Sequence, residues 1–181
     1  MKRISKRYKT SEKLSPSYYH KQKISRWEFE EYGPGKNEII FCPKGDAVYY
    51  HKSWHHAFEN YKHAKETKEA RFALCPFHQM ENSCVWEGEV RINGLKKEKI
   101  AEVLSLAKNF SHRAYLKDPM HRIIKIRQDK NSLSIFTSEN QLSERLAKKI
   151  HETFKNLFSK PILHRAKGGD PFLVIIETKK I

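Results

Sequence analysis

The clearest pattern in the chain lies in its second half. In "VWEGEVRI", residues 85–92, apolar and polar positions alternate, which predicts a strand with Trp86, Val90 and Ile92 on one face and Glu87, Glu89 and Arg91 on the other. An amphipathic helix follows "NG", with Ile100, Val103, Leu104, Ala107 and then Phe110 or Ser111 as its apolar stripe, closed by "DP" at 118–119. "HRIIKIRQ" and "SLSIF" flank the turn sequence "DKN" and read as a hairpin. A second helix is expected over "TSENQLSERLAKKIHETFKNLF". Its capping box is Ser138 with Gln141, and its buried side is Leu142, Leu146, Ile150, Phe154 and Leu157. "KPILHRAKGGDPFLVIIET" ends the chain as a second hairpin, and the unbroken apolar run 172–176 suits a strand well inside a sheet. The order βαββαββ over residues 85–181 predicts a split βαβ, ferredoxin-like sandwich with one added strand.

The first half is patterned by turns and chemistry. "EIIFCP" reads as a short strand entering a knuckle, and "AVYYHKSW" as its return. "HHAFENYKHAKETKEARFAL" has helical spacing, with Ala57, Tyr61, Ala64 and Lys68 on one face and Phe58 beside it. "FALCPFH" then re-enters an extended segment and a second knuckle. Residues 38–84 are therefore expected to form a zinc-ribbon-like module with a helical insertion, and the whole chain an α+β protein.

Residues 1–35 show neither period. The first 26 carry nine Lys or Arg against Glu12 alone, about half of the protein's surplus charge. They read as a flexible, disordered basic arm interrupted by Tyr8, Tyr18 and Tyr19, ended by the turn cluster "YGPGKN". The whole chain has 36 Lys and Arg against 21 acids and a net charge of +15, which predicts a polyanionic partner, RNA or the ribosome before a membrane surface. No apolar run approaches the roughly 20 residues of a membrane span. The N-terminus lacks a secretion signal, and three cysteines cannot make a closed disulfide framework, so the expected compartment is cytoplasmic and reducing.

The candidate chemistry is a metal site. A zinc knuckle places a second donor three residues after the first cysteine. Cys42 has Gly45 at that position, whereas Cys75 is followed by His78 at CxxH spacing. Cys42, Cys75 and His78 are three well-placed donors. Asp46, His51, His55 and Cys84 are candidates for the fourth, in a region where five of the ten histidines fall between 51 and 78. The missing sulfur weighs narrowly toward a ribbon that keeps its shape without metal, held by Phe41, Tyr49, Trp54, Phe72 and Phe77. No HExxH motif supports a metalloprotease, few acids are placed to orient the histidines, and "HRAKGGDP" lacks the spacing of a phosphate loop.

The stretch "CPKGDAVYYHKSWHH", with "LCPFHQM…WEGEV" and the βαββαββ tail, resembles a family of small bacterial and archaeal zinc-ribbon proteins. Their ribbon is related to that of the adaptor that exports the large ribosomal subunit from the nucleus, the nonsense-mediated-decay protein 3 type. Cys42, Pro43, Ala47, Val48, Tyr49 and Trp54 match the family's first knuckle; Gly45 stands where it has its second zinc cysteine, and His78 where it has its fourth ligand. The resemblance implies a non-catalytic RNA-binding or ribosome-associated role. On that reading Lys2, Arg3, Lys6, Arg7 and Lys9 contact phosphates, and Tyr49, Tyr50, Lys52 and Trp54 offer a stacking and phosphate surface, although a ribbon with little other core needs Trp54 first as a structural residue. A protein-interaction adaptor is the alternative, and a metal-dependent enzyme acting on nucleic acid a more distant one.

Overall fold

In the computed structural model, the described residues are 39–45, 47–50, 53–56, 71–165 and 172–179. The basic arm, the expected helix after residue 56 and the Gly-Gly-Asp-Pro turn lie outside them. The protein is α+β, with two mixed sheets and three helices among the described residues.

The small sheet contains β1 (Ile40–Phe41), β2 (Ala47–Tyr50), β3 (Ser53–His56) and β4 (Arg71–Phe72), in the order β3-β2-β1-β4. "AVYYHKSW", expected as one returning strand, is two: β2 pairs antiparallel with β3, and Tyr49 lies opposite Trp54. His55 and His56 belong to β3 rather than to the start of a helix. The return to extended structure at "FALCPFH" ends sooner than expected, because Pro76–Ser83 is a helix, α1. Pro76 sits in its first turn, where a fixed φ and a missing N–H cost nothing, and Cys75 occupies the N-cap.

The large sheet contains β5 (Gly88–Asn93), β6 (Ile123–Gln128), β7 (Ser132–Thr137), β8 (Ile162–Arg165) and β9 (Phe172–Glu177), in the order β6-β7-β5-β9-β8. β9 lies between β5 and β8 and runs parallel to β5, which makes the sheet mixed. Helices α2 (Lys97–Tyr115) and α3 (Asn140–Thr153) cover one face. The core lies between them and the sheet: Val90, Ile92, Leu133, Ile135, Val174 and Ile176 meet Val103, Ala107, Leu146 and Ile150. Gly88 is required where α3 crosses β5, since a Cβ there would stand 2.6 Å from Ser143 Oγ and 2.5 Å from Thr137 Oγ1.

Two local expectations are corrected. Trp86 precedes β5, and its ring stacks 4.6 Å from Phe136, which lies opposite Glu89 and so on the face away from Val90. Glu87 and Glu89 are buried, not solvated. Ser138 makes no capping box. Its hydroxyl instead donates toward the Met120 carbonyl at 2.6 Å and accepts Arg122 N–H at 2.9 Å, while Glu139 takes the N-cap position without a side-chain cap. The bond that Ser138 offered to the helix is used to anchor the segment entering β6.

The two sheets meet through α1. Met80 and Val85 pack on Ile124 of β6, and Met120 and Ile124 also join the small sheet's cluster around Trp54 and Phe77. Arg122 rivets the junction, with its guanidinium 4.5 Å over the Phe77 ring and 4.2 Å over that of Tyr115. His56 Nε2 donates to the Tyr115 carbonyl at the end of α2.

Candidate metal centre

Backbone topology brings the donors together. β1 and β4 are parallel neighbours, with Ile40 opposite Arg71 and Phe41 opposite Phe72, so both strands exit at the same end of the sheet. Cys42 is the first residue after β1 and Cys75 the third after β4. Helix α1 begins just beyond Cys75, and its first turn carries His78 back toward both sulfurs.

His78 Nδ1 stands 3.2 Å from Cys42 Sγ and 3.1 Å from Cys75 Sγ, and all three donor atoms lie within 4.8 Å of one another. The cluster is closed to solvent: the three residues are 3%, 0% and 6% exposed. Both sulfurs accept backbone N–H bonds. Those of Lys44 and of Cys75, the latter at 3.4 Å, reach Cys42, and that of His78 reaches Cys75. Lys44 Nζ donates to Asn82 Oδ1 at 2.6 Å, tying the first loop to the far end of α1.

Electrostatics split the two thiols. The hydrogen bond from the Cys75 thiol, opposed by burial and helped by the backbone donors, brings Cys42 down to about 5; Cys75, as the donor in that bond and itself buried, is pushed up. Without a metal the two thiols share one proton, since a negative charge on one sulfur disfavours a second on its buried neighbour. A divalent ion entering here displaces that proton.

The donor set suits zinc. Two sulfurs and an imidazole match its preference, and zinc at about 2.3 Å from sulfur and about 2.0 Å from nitrogen sets S···N edges of about 3.5 Å. The edges found, 3.1 and 3.2 Å, are only a few tenths of an ångström shorter, so a slight opening of the three side chains admits the ion. Zinc bound there would cross-link β1, β4 and α1.

Gly45 explains how the set departs from two CxxC knuckles. A Cβ built on it would lie 2.9 Å from His78 Cε1. The imidazole therefore occupies space into which a side chain at 45 would project, and glycine and histidine are a matched pair. Among the described residues no fourth donor joins the cluster. Cys84, considered for that place, is exposed and caps α1 in the left-handed conformation, with φ 51° and its N–H turned to the Glu81 and Met80 carbonyls. His55 lies on β3 and is not part of the cluster. Asp46 and His51 lie outside the described residues.

Of the expected nucleic-acid contacts, Tyr49 and Trp54 pack on each other at 5.5 Å and belong to the small sheet's core, with Trp54 only 8% exposed. Trp54 is thus structural. The side chains of Tyr50 and Lys52, and Lys2, Arg3, Lys6, Arg7 and Lys9, lie outside the described residues. No helix among the described residues is long and apolar enough to cross a membrane. Compared with protein-family models, curated proteins and solved structures, the chain matches none.

Proposed function

We propose that the chain is a non-catalytic RNA-binding or ribosome-associated cytoplasmic protein. In this reading its first module is a zinc ribbon with an altered donor set, akin to the ribbon family that its first knuckle resembles, and its second a ferredoxin-like sandwich enlarged by a strand. The observation that carries the reading is the net charge of +15. Such an excess attracts polyanions over a Debye length and makes binding fall as salt rises. The burial of Cys42, Cys75 and His78 supports a structural rather than catalytic metal, because a reacting substrate needs an approach that 0–6% exposure does not offer.

The test pairs two measurements on the full chain. Elemental analysis of protein purified without added metal is expected to give about one zinc per chain, lost in Cys75→Ser. Filter binding of total RNA is expected to weaken linearly on a log scale with salt. Zinc-free, folded protein sinks the bound zinc and leaves a ribbon that keeps its shape without metal; RNA binding that is absent at low salt sinks the RNA role.

A protein-interaction adaptor is the second reading. Strand β8 favours it, since Ile162 is 53% and Leu163 44% exposed on a strand that, among the described residues, pairs only with β9. Salt-insensitive capture of a protein without RNA would turn the conclusion that way.

A further inference from the structure

An open groove of about 620 Å³ runs between the C-terminal half of α2 and the edge strand β6. Lys108, His112 and Tyr115 form one wall, Lys125 the other, and Arg122 and Ile124 also line it. Among the described residues no carboxylate lines it. On the two long helices Lys99 pairs with Glu102 and Lys148 with Glu144, while Lys97 and Lys149, like Lys108, have no acidic partner among the described residues. Among the described residues, neither Lys108 nor Lys125 has an acidic side chain within 4.0 Å. The nearby acids Asp118 and Glu139 are instead drawn to His121, at 3.6 and 2.8 Å.

Arg122 gives the groove a fixed charge. Its guanidinium is held against the rings of Phe77 and Tyr115, and its Nε donates to the Pro119 carbonyl at 2.9 Å. With Nη2 buried, Arg122 adds to the positive field of the groove rather than contacting an anion directly. Lysine on an edge strand commonly serves to block pairing with another sheet, which accounts for Lys125. It does not account for Lys108 and His112 on the facing helix. The carbonyl end of α2 would oppose an anion, but its last carbonyls are engaged: His112 O accepts Leu116 N–H, Ala114 O accepts Lys117 and Asp118 N–H, and Tyr115 O accepts from His56.

We infer that this groove holds the phosphate backbone of single-stranded RNA, an assignment that rests on the RNA-binding reading above. Lys108 and Lys125, both exposed, meet successive phosphates from the two walls, with His112 as a hydrogen-bond donor beside them and the buried Arg122 charge behind. A volume of this size takes one or two nucleotides. A strand can enter the cleft, whereas a duplex presents a convex wall of phosphates that bridges its rim. The contacts are to the backbone, so the groove fixes position without reading sequence.

The test is fluorescence anisotropy with a labelled 12-nucleotide oligouridylate and the intact protein. Lys108→Gln/Lys125→Gln is compared with the equally charged control Lys148→Gln/Lys149→Gln. All four side chains are exposed, so neither variant touches the core. The groove variant is expected to bind about 10-fold more weakly at 0.1 M salt, and its slope of log K against log salt to fall by about 1.4, for two lost contacts on a single strand. The control is expected to shift affinity by less than about twofold. Equal losses in both variants overturn the groove while leaving the RNA-binding reading intact. A wild-type protein that ignores RNA overturns both. Binding of poly-glutamate in place of RNA, with the same dependence on the two lysines, overturns the ligand assignment in favour of an acidic protein.

Discussion

The two sheets are stabilised by different means. The large sheet packs fifteen buried apolar residues into one cluster drawn from strands and helices alike. Among the described residues the small sheet has six buried residues in its main cluster, two of them cysteines, and two of its four strands are only two residues long. A pair of two-residue strands cannot bury enough apolar surface to offset the cost of ordering them. The buried contacts of His78 Nδ1 with the Cys42 and Cys75 sulfurs tie β1, β4 and α1 together, and Arg122 and His56 fasten the small sheet to the larger one. Where a core is large, packing specifies the fold; where it is small, a few polar and sulfur atoms must.

That contrast can be broken from either side. The largest effect is expected from metal. In zinc-loaded protein, chelation or Cys75→Ser should speed hydrogen exchange at the Cys42, Ala73 and Cys75 amides by about 100-fold or more, while β5 and β9 amides change little. Equal loss in both sheets would mean that they unfold as one unit. In the large sheet, Leu146→Ala should cost about 2–5 kcal/mol in urea unfolding, because Leu146 is fully buried between α3 and the sheet. Zinc content should stay unchanged.

A smaller effect sharpens the account of the site. Gly45→Ala should lower stability by about 1 kcal/mol as its methyl displaces the His78 ring, and the penalty should vanish in a His78→Ala background. A penalty that persists there would place its cause in the loop backbone.

The smallest is a pH effect at the junction. The Glu139 carboxylate beside His121 raises the histidine pKa against partial burial, and His121 lowers that of Glu139. The histidine's contribution is complete below its unfolded pKa of about 6.5 and fades as pH rises through the raised folded value. The carboxylate's is complete above its unfolded value of about 4.3 and is lost as pH falls through the lowered one. The pair should therefore stabilise most between about pH 4.3 and 6.5, by no more than about 1 kcal/mol. His121→Gln should flatten the pH profile of the melting temperature on the alkaline side; an unchanged profile would remove the pair from the account.

Much of the large domain was legible because its signals are local. The alternation of Val90 and Ile92, the stripe Ile100, Val103 and Ala107, and the run 172–176 each follow from the period of the element they build. Misreadings came where a side chain answered to a distant partner. Ser138 has a helix-capping sequence but bonds to Met120 and Arg122, and Trp86 continues an alternating pattern but turns to Phe136. The candidate site was half legible: CxxH spacing marks Cys75 and His78 as one turn's donors, while Cys42 lies 33 residues earlier.

By itself, then, the sequence determined most elements of the large sheet and its helices, the chemical identity of three candidate metal donors and the strongly basic character of the chain, since these depend on spacing and composition. Tertiary structure alone decided that β9 inserts beside β5, that parallel β1 and β4 deliver both cysteines to one point, and that Lys108 and Lys125 face each other across a groove. Each of these is a pairing between segments far apart in the chain, chosen by packing, and no local period encodes it.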